Sequence, residues 1–358
     1  MHLVAMQSNQ SLRPLTMRDV AEKAGVNPST VSRALRDDAN VSKKRREEIQ
    51  RIAQEMGYRP NPFVQAFTAH VRGYRRLPTH APIALLDTGT GSDAGHTHLY
   101  IEGARNHAHS LGYTLEPLHI QSVKGSFDRL KDVLFARGIQ GLLVLPPSDR
   151  KSMPDLTGFP LAMATIDYSL KEPHLHRATP CYFQNMEMAL QICAKKGYRR
   201  IGLCTYREEI DRIGMHGMGA FCGWRDLQTT EECVNVHYSD YSSEFDERDD
   251  PAKWDHCRGQ FYAWLDNEKP DVVLANSLFF YEWLEERGTR MPEEIGFVHL
   301  EVNTREKAVS GVDQNHRKIG AVAIDLIISQ LQKNVSGVPD SMQTVLVYGD
   351  WVEGNTTR

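Results

Sequence analysis

Residues Thr16 to Leu35 read TMRDVAEKAGVNPSTVSRAL, and this stretch decides the fold of the N-terminal part of the chain. The pattern predicts a short amphipathic helix, a turn at Gly25, and a second helix whose outer face carries small polar groups and an arginine. Two helices joined in this way form a helix-turn-helix, which places side chains in the major groove of DNA. An ordinary helical hairpin with a solvated polar face is the alternative.

The helix boundaries follow from individual residues. Thr16 is a suitable N-cap because its hydroxyl can accept a hydrogen bond from an unpaired backbone N–H. Asn27 is a second N-cap, and Pro28 follows at the first helical position, where its missing N–H costs nothing. The spacing turns Val31, Ala34 and Leu35 inward. It leaves four polar residues outside: Ser29, Thr30, Ser32 and Arg33.

A third helix is predicted from about Lys43 to Met56, with Ser42 as its cap. Its first turn carries Lys43, Lys44, Arg45 and Arg46, opposite to what the helix dipole prefers, so phosphate is the expected partner. Residues 13–76 contain 14 Lys and Arg against 7 Asp and Glu, a net charge of +7, whereas the whole chain carries −4 and the remainder therefore −11. A basic end on an acidic body indicates nucleic-acid contact at that end.

These residues resemble the headpiece of the LacI/GalR family of bacterial transcription regulators. The match extends over RDVAEKAGVNPSTVSRAL (18–35) and VSKKRREEIQRIAQEMGYRPNP (41–62). The resemblance implies that Pro28, Ser29 and Arg33 read base edges, while Thr30 and Ser32 hold phosphates. Arg33 is the strongest candidate for specificity, because a guanidinium can donate two parallel hydrogen bonds to a guanine edge. Thr16 and Asn61 complete the predicted contact set.

The resemblance also implies a hinge helix after the headpiece. Asn61 and Pro62 provide a cap and a first-position proline for a helix from Phe63 to Val71. In the family this helix folds on operator DNA and wedges an aliphatic side chain, usually leucine, into the minor groove. Phe67 occupies that position here, and a phenylalanine ring is apolar and firm enough to unstack a base step. Packing of Phe63 and Phe67 on the body of the protein is the alternative.

The chain is predicted to contain four parts: a disordered tail (1–14), a helix-turn-helix headpiece (15–60), a hinge helix with a linker (61–81), and an effector-binding and dimerisation domain of two subdomains (82–358). No segment approaches the ~20 apolar residues needed to cross a bilayer, and the N-terminus lacks the pattern of a secretory signal. The six cysteines show no CxxC spacing, so we expect reduced thiols in a cytoplasmic protein.

The body alternates apolar strands with helices, which predicts an α/β fold with parallel sheets covered on both faces. Predicted strands are 83–86, 114–120, 141–145, 200–204, 272–275 and 296–300, and predicted helices include 99–111, 127–137 and 213–226. Ligands in such folds bind outside the carboxyl ends of the strands, which indicates Asp87, Asn276 and Glu301. The family resemblance implies two lobes similar to periplasmic binding proteins, with an effector between them.

Three segments of the body carry the resemblance. KPDVVLANS (269–277) assigns an effector contact to Asn276, and MPEEIGFVHLE (291–301) ends in Glu301 where the family usually has aspartate. SGVDQNHRKIG (310–320) indicates Gln314 and His316. An arginine at the start of the 213–226 helix often holds the ligand in relatives, which indicates Arg212, with His216 as the second choice. A helix cap at Asn276, a loop carboxylate or interdomain ion pair at Glu301, and a surface histidine at His316 are the alternatives.

The polar character of this set suits a hydroxylated ligand such as a sugar, or a nucleobase. Enzymatic motifs are absent from the sequence: it contains no HExxH, GxSxG or GxxxxGK[ST]. His96 with His98, and His107 with His109, are two residues apart and so do not share a helix face. We therefore predict no metal site and no cofactor.

The sequence as a whole predicts a homodimeric repressor whose affinity for inverted-repeat operator DNA is controlled by a small-molecule effector. A body that recruits a protein partner instead of a metabolite is one alternative, and a helix-turn-helix fused to an enzyme is another.

Overall fold

The computed structural model describes residues 16–35, 41–56, 58, 81–87, 96–119, 127–147, 155–240, 250–302 and 308–358. The chain divides into two compact units, residues 1–79 and 80–358. The predicted tail, and the predicted hinge residues Asn61 and Phe67, lie outside the described residues. Those three predictions stay predictions.

The first unit contains the helix-turn-helix and the third helix that the sequence predicts. Its helices are α1 (Met17–Lys23), α2 (Pro28–Ala34) and α3 (Lys43–Glu55). Gly25 adopts a left-handed backbone (φ +62°) between α1 and α2, a conformation that glycine reaches without a steric penalty. The helices pack around small and branched side chains, namely Val20, Ala21, Ala24, Val31, Ala34, Val41, Ile49, Ile52 and Ala53.

Polar contacts fix the ends of these helices. Asp19 accepts hydrogen bonds from the backbone N–H and the hydroxyl of Thr16, both at 2.7 Å, so the Thr16 hydroxyl donates here. The Arg45 guanidinium donates to the carbonyl of Ala24 at the end of α1 (3.1 Å) and to Glu48 (2.7 Å). Arg45 therefore has protein partners of its own, and a phosphate partner for the basic cluster stays a prediction.

The second unit consists of two lobes, each built on a six-stranded sheet, which confirms the α/β prediction. The first lobe has the sheet order β2-β1-β3-β4-β5-β11, with every pair parallel. Its strands are β1 (Ala81–Asp87), β2 (Tyr113–His119), β3 (Gly141–Val144), β4 (Ala162–Ile166), β5 (His176–Pro180) and β11 (Thr344–Val347). Its helices are α4 (Thr97–Ser110), α5 (Phe127–Ala136) and α11 (His316–Lys333).

The second lobe has the sheet order β7-β6-β8-β9-β10-β12, parallel except for the antiparallel pair β10 and β12. Its strands are β6 (Ile201–Tyr206), β7 (His237–Ser239), β8 (Val272–Ala275), β9 (Gly296–His299), β10 (Gly311–Asp313) and β12 (Asp350–Val352). Its helices are α6 (Tyr182–Lys195), α7 (Arg207–Ile213), α8 (His216–Arg225), α9 (Pro251–Glu268) and α10 (Phe279–Glu286).

Successive side chains of a strand point to opposite faces of the sheet, so each sheet packs against an apolar core on both faces. In β1, Ile83 and Leu85 join one apolar cluster with α4 and α11, whereas Ala84 and Leu86 join another with α5. The second lobe is layered in the same way. All six cysteines are free thiols. Within the described residues, no helix has the length and apolar character that a membrane span requires.

The start of one predicted helix is wrong. The helix predicted over residues 213–226 is α8, which begins only at His216, and Ile213 is instead the last residue of a separate helix, α7. Gly214 has φ +80°, outside the helical region, which ends α7 one residue earlier. Arg212 therefore lies in the last turn of α7, and His216 is the first residue of α8.

The chain crosses between the lobes after β5, after β10 and after β11. Asparagines tie these crossings together: Asn185 Oδ1 in α6 accepts from the backbone N–H of Gly349 (2.8 Å), and Asn315 Nδ2 donates to the carbonyl of Tyr348 (2.8 Å). The segment that follows β11 is thus held by Asn185, which comes after the first crossing, and by Asn315, which comes after the second.

Candidate functional site

An open cavity, whose empty space including adjoining solvent is about 560 Å³, lies in the second lobe at the carboxyl ends of β6, β8, β9 and β10. In α/β folds this edge of the sheet is where ligands bind. The side chains around it are mostly apolar, with a few polar groups among them. The lining residues are Tyr182, Asn185, Met186, Leu203, Thr205, Glu209, Ile210, Ile213, Gly214, Gly217, Met218, Asn276, Leu300 and Gln314.

Three side-chain amides in this lining form hydrogen bonds through one of their two polar atoms. The other polar atom of each has no protein partner. Asn276 Nδ2 donates to the Glu209 carboxylate and lies 3.5 Å from Thr205 Oγ1, while its Oδ1 is unpartnered. Gln314 Nε2 donates to the carbonyl of Leu300 (2.8 Å), while its Oε1 is unpartnered. Asn185 Nδ2 is likewise unpartnered. Because a buried polar atom without a hydrogen bond is costly, these atoms indicate a polar occupant.

Glu209 is the ionisable group of the cavity. It lies in the first turn of α7 and is only 7% exposed. Burial raises the pKa of its carboxyl to about 7, and the nearby Arg212 guanidinium limits that rise. Near neutral pH the cavity therefore holds a carboxyl group that exchanges a proton readily, next to the amide of Asn276.

Beside the cavity, Glu301 of the second lobe contacts two histidines of the first. Its Oε1 lies 3.0 Å from His316 Nε2 and 3.3 Å from His96 Nε2. The two imidazole rings stack, with centroids 4.4 Å apart, and Tyr100 meets the His316 ring edge-on at 5.0 Å. Burial would raise the pKa of the Glu301 carboxyl, but His96, His316 and Arg212 outweigh it, so this pKa lies well below its usual range.

A second contact across the cleft pairs Arg212 with Asp167. Arg212 Nη1 lies 3.4 Å from Asp167 Oδ2, and Tyr182 donates its hydroxyl to Asp167 Oδ1 (3.0 Å). Burial would lower the pKa of the Arg212 guanidinium, but Asp167 and Glu209 outweigh it and hold that pKa well above its usual range. Lys171 of the first lobe also donates to the carbonyl of Arg212 (3.0 Å).

A third contact is between rings. His216 stacks on Tyr168 of the first lobe, with centroids 4.1 Å apart and an angle of 22° between the ring planes. Burial lowers the pKa of the His216 imidazole. His216 and Arg212 therefore both face the first lobe, from either side of the break at Gly214.

The structure groups six of the seven predicted effector residues around this cleft. Asn276 and Gln314 line the cavity, and Glu301, His316, Arg212 and His216 form contacts between the lobes. Asp87 is separate: it ends β1, is 6% exposed, and its Oδ2 lies 3.2 Å from His119 Nδ1 on β2. Asp87 is not among the residues lining the cavity. The role of each as an effector contact stays a prediction.

Sequence reasoning missed several residues of this site. Glu209 and Thr205 follow from the strand-end rule once it is applied to β6, which ends at Tyr206. Asp167 follows in the same way from β4, which ends at Ile166. His96 was considered in the sequence only together with His98, and that pair was rejected, whereas its partners Glu301 and His316 lie more than 200 positions away.

The six predicted DNA-contacting residues that the structure describes lie at the surface of the headpiece. Thr16, Pro28, Ser29 and Arg33 are exposed, and Thr30 and Ser32 are half-buried. The N-terminus of α2, where Pro28 and Ser29 stand, is the end of a recognition helix that reads bases in helix-turn-helix proteins.

Residues 16–61 match the family model described as "Bacterial regulatory proteins, lacI family". The headpiece is therefore that of the lacI family. The HTH-type transcriptional repressor PurR of Actinobacillus pleuropneumoniae serotype 3 (strain JL03) is 22% identical over 324 residues, covering 88% of this chain and 91% of that repressor. With this headpiece, the chain is a DNA-binding transcription regulator with an effector-binding domain. The family is not one of enzymes, which removes the enzyme alternative.

Solved structures share the fold. The regulator CelR in its cellobiose complex has a TM-score of 0.55 at 19% identity, covering 96% of this regulator and 100% of that chain. The Lac repressor dimer bound to operator and the anti-inducer ONPF has a TM-score of 0.55 at 19% identity, covering 96% and 99%. Both confirm a helix-turn-helix headpiece joined to a two-lobed α/β body.

Proposed function

We propose that this regulator is a homodimeric repressor whose affinity for an inverted-repeat operator is controlled by a small hydroxylated metabolite, such as a sugar, bound in the cavity of the second lobe. The headpiece supplies the DNA contacts through Arg33 and its neighbours on α2. The cavity and the contacts between the lobes supply the response to ligand. Like other regulators of this kind, it is expected to act in the cytoplasm.

The observation that carries the ligand class is the set of unpartnered amide atoms in the cavity. Asn276 Oδ1 and Gln314 Oε1 are acceptors, and Asn185 Nδ2 is a donor. A hydroxyl group donates one hydrogen bond and accepts others, so a ligand with several hydroxyls satisfies both kinds of atom. The apolar residues around them, such as Leu203 and Ile213, suit the C–H faces of a sugar ring.

Structures with the same fold also support a sugar ligand and a dimer. One of them, CelR, is in a complex with cellobiose. The Lac repressor is a dimer on its operator with the ligand ONPF. Dimerisation is also expected on physical grounds, because one headpiece reads only a few base pairs and a two-fold repeated half-site multiplies the specificity.

Ligand and DNA must affect each other equally in binding free energy. An effector that weakens operator affinity must itself bind less tightly to the operator complex. The break between α7 and α8 matters here, because Gly214 lines the cavity while Arg212 and His216 on either side of it contact the first lobe. A ligand that shifts this segment changes the contacts that hold the lobes together.

Asn276→Ala tests the cavity. A panel of sugars that includes cellobiose is first screened by thermal shift on the wild-type protein, since a ligand bound only by the native state raises the melting temperature. Calorimetry then compares the best ligand on wild type, Asn276→Ala and the control Asn267→Ala, whose amide is exposed on α9. We expect the Asn276 variant to lose ligand binding and the control to keep it.

Operator binding by the Asn276 variant is measured in parallel and should be unchanged, because the headpiece is a separate unit. Equal ligand binding by wild type and Asn276→Ala would place the effector elsewhere. If no metabolite shifts the melting temperature and a protein partner alters operator affinity instead, the alternative of a body that recruits a protein is correct.

A further inference from the structure

His96, Glu301 and His316 bring three potential metal ligands together at the cleft. Their ligand atoms all lie within 4.8 Å of one another. The residues come from three distant segments: His96 precedes α4, His316 begins α11, and Glu301 follows β9 in the other lobe. We propose that these side chains bind a divalent transition-metal ion of the zinc class, which links the two lobes.

The distances between the ligand atoms suit such an ion. In zinc sites the bonds to imidazole nitrogen and carboxylate oxygen are about 2.0–2.2 Å, so neighbouring ligand atoms of a tetrahedron stand roughly 3.3 Å apart. Here Glu301 Oε1 is 3.3 Å from His96 Nε2 and 3.0 Å from His316 Nε2. Because the two imidazole rings stack at an angle of only 11°, the His96 ring must turn out of the stack before both nitrogens can face one ion.

The donor set selects the kind of metal. Two imidazole nitrogens and one carboxylate oxygen suit Zn²⁺, Co²⁺, Ni²⁺ or Fe²⁺, whereas Mg²⁺ and Ca²⁺ prefer a shell of oxygens. Three protein ligands also leave a coordination position for water or for an oxygen of a bound molecule. A hydroxylated effector in the neighbouring cavity has such oxygens.

Helix packing holds two of the ligands in place. Helices α4 and α11 cross at two glycines: a Cβ on Gly320 would lie 2.1 Å from the Tyr100 carbonyl oxygen, and one on Gly103 would lie 1.9 Å from the Arg317 carbonyl oxygen. This close approach sets the stacked rings of His96 and His316 side by side. Tyr100 packs against the His316 ring, so its orientation is fixed before an ion arrives.

Access to the site comes from the cleft. The His316 side chain is 1% exposed, whereas those of His96 and Glu301 are 17% and 20% exposed. An ion therefore reaches the buried histidine past two partly accessible ligands. Because Glu301 belongs to the second lobe and the histidines to the first, the ion stabilises the arrangement in which the lobes are in contact.

The metal site does not depend on the proposed effector or on operator binding. It shares Glu301 and His316 with the predicted effector residues, so metal binding is measured on the full chain without sugar or DNA. Loss of operator binding or of sugar binding then leaves this test unaffected.

Calorimetry with ZnCl₂, and visible spectroscopy with CoCl₂, are carried out on protein first treated with a chelator and then freed of it. We expect one ion per chain and a Co²⁺ absorption band in the visible range. Since loss of even an outer-shell partner of a ligand costs about 10–100-fold in metal affinity, His96→Ala and Glu301→Gln should each weaken binding by more than that. A melting temperature that rises with Zn²⁺ in wild type alone supports the same conclusion.

His174→Ala is the matched control, because His174 lies 3.3 Å from Glu172 and so forms a histidine–glutamate pair at the surface. It should bind Zn²⁺ as wild type does. Circular dichroism confirms that each variant is folded, and Glu301→Gln, which keeps the size of the side chain, is the second variant if His96→Ala unfolds. Wild-type affinity no tighter than that of Glu301→Gln would overturn the proposal and leave Glu301 as a hydrogen-bonding partner of two histidines.

Discussion

The guanidinium Nη1 of Arg212 lies 3.4 Å from Oδ2 of Asp167, so a cation of the second lobe neutralises a carboxylate buried in the first. The Asp167 side chain is 3% exposed, whereas that of Arg212 is 39% exposed. Asp167 therefore depends on this partner more than Arg212 does, because an unpaired buried carboxylate is far more costly than an unpaired arginine in water.

Arg212→Ala should lower the free energy of unfolding by about 1–3 kcal/mol. Removing one partner of a fully buried pair costs about 3–5 kcal/mol, and the partial exposure of Arg212 reduces that value through solvent screening. Urea unfolding of the full chain measures the change. Arg207→Ala is the control on the same helix, since Arg207 is 72% exposed beside Asp240 and should matter by less than about 0.5 kcal/mol. Equal effects of the two substitutions would contradict a special role for the Asp167 pair.

The free energy of unfolding of Glu209→Gln should increase relative to that of wild type as the pH rises from 5 to 8. The pKa of Glu209 is raised from its ordinary value of 4.5 to about 7 by burial, so the folded state holds a proton that the unfolded state releases in this window. Wild-type stability therefore falls as the pH rises through that range, by at most about 3 kcal/mol from this group.

Glutamine stays neutral and avoids that loss, while its carbonyl can still accept from Asn276. Urea unfolding at the two pH values gives the difference between variant and wild type. Glu208→Gln, at the neighbouring position where the side chain is not buried, serves as the comparison. A difference for Glu209→Gln that does not change with pH would show that this carboxyl is ionised throughout.

Gly320→Ala should destabilise the body by about 1–3 kcal/mol, because the added Cβ would stand 2.1 Å from the carbonyl oxygen of Tyr100 and force α4 and α11 apart. Gly259→Ala in α9 is the control, since a Cβ there meets nothing within 4 Å. It should stabilise the protein by about 0.5–1 kcal/mol through its higher helix propensity. Thermal or urea unfolding distinguishes the two, and a neutral Gly320→Ala would show that the helices can separate freely.

Arg33→Ala should flatten the sequence preference of DNA binding and cost about 1–3 kcal/mol at one base pair of each half-site. Lys43→Ala, which alters an exposed cation at the start of α3, should instead weaken binding uniformly across sequences and lower its salt dependence. Selection of bound oligonucleotides from a random pool reports the preference. An unchanged motif for Arg33→Ala would remove Arg33 from base recognition.

Much of the fold was predictable because its determinants are local. The boundaries of α1 and α2 follow from Gly25, Asn27 and Pro28, and the apolar runs around Val272 and Gly296 became buried strands as expected. The break at Gly214 was missed because a glycine within a helical pattern is tolerated as often as it ends a helix.

The site was only partly predictable, because its pairings are non-local. The strand-end rule found Asn276 and Glu301, but nothing near His96 indicates that it stacks on His316, 220 positions further on. Asp87 obeys the same rule and yet pairs with His119 on the adjacent strand. The rule identifies an edge of a sheet, and which side chains at that edge meet depends on the second lobe.

The last two strands have a consequence for how the molecule is assembled during synthesis. β11 completes the sheet of the first lobe and β12, only a few residues later, completes that of the second. Neither lobe has all its strands until residues 344–352 have left the ribosome, although β1 is made more than 250 positions earlier. The first lobe therefore cannot be completed before nearly all of the second has been made, and a chain cut anywhere between β1 and β11 yields no fragment containing the whole first lobe.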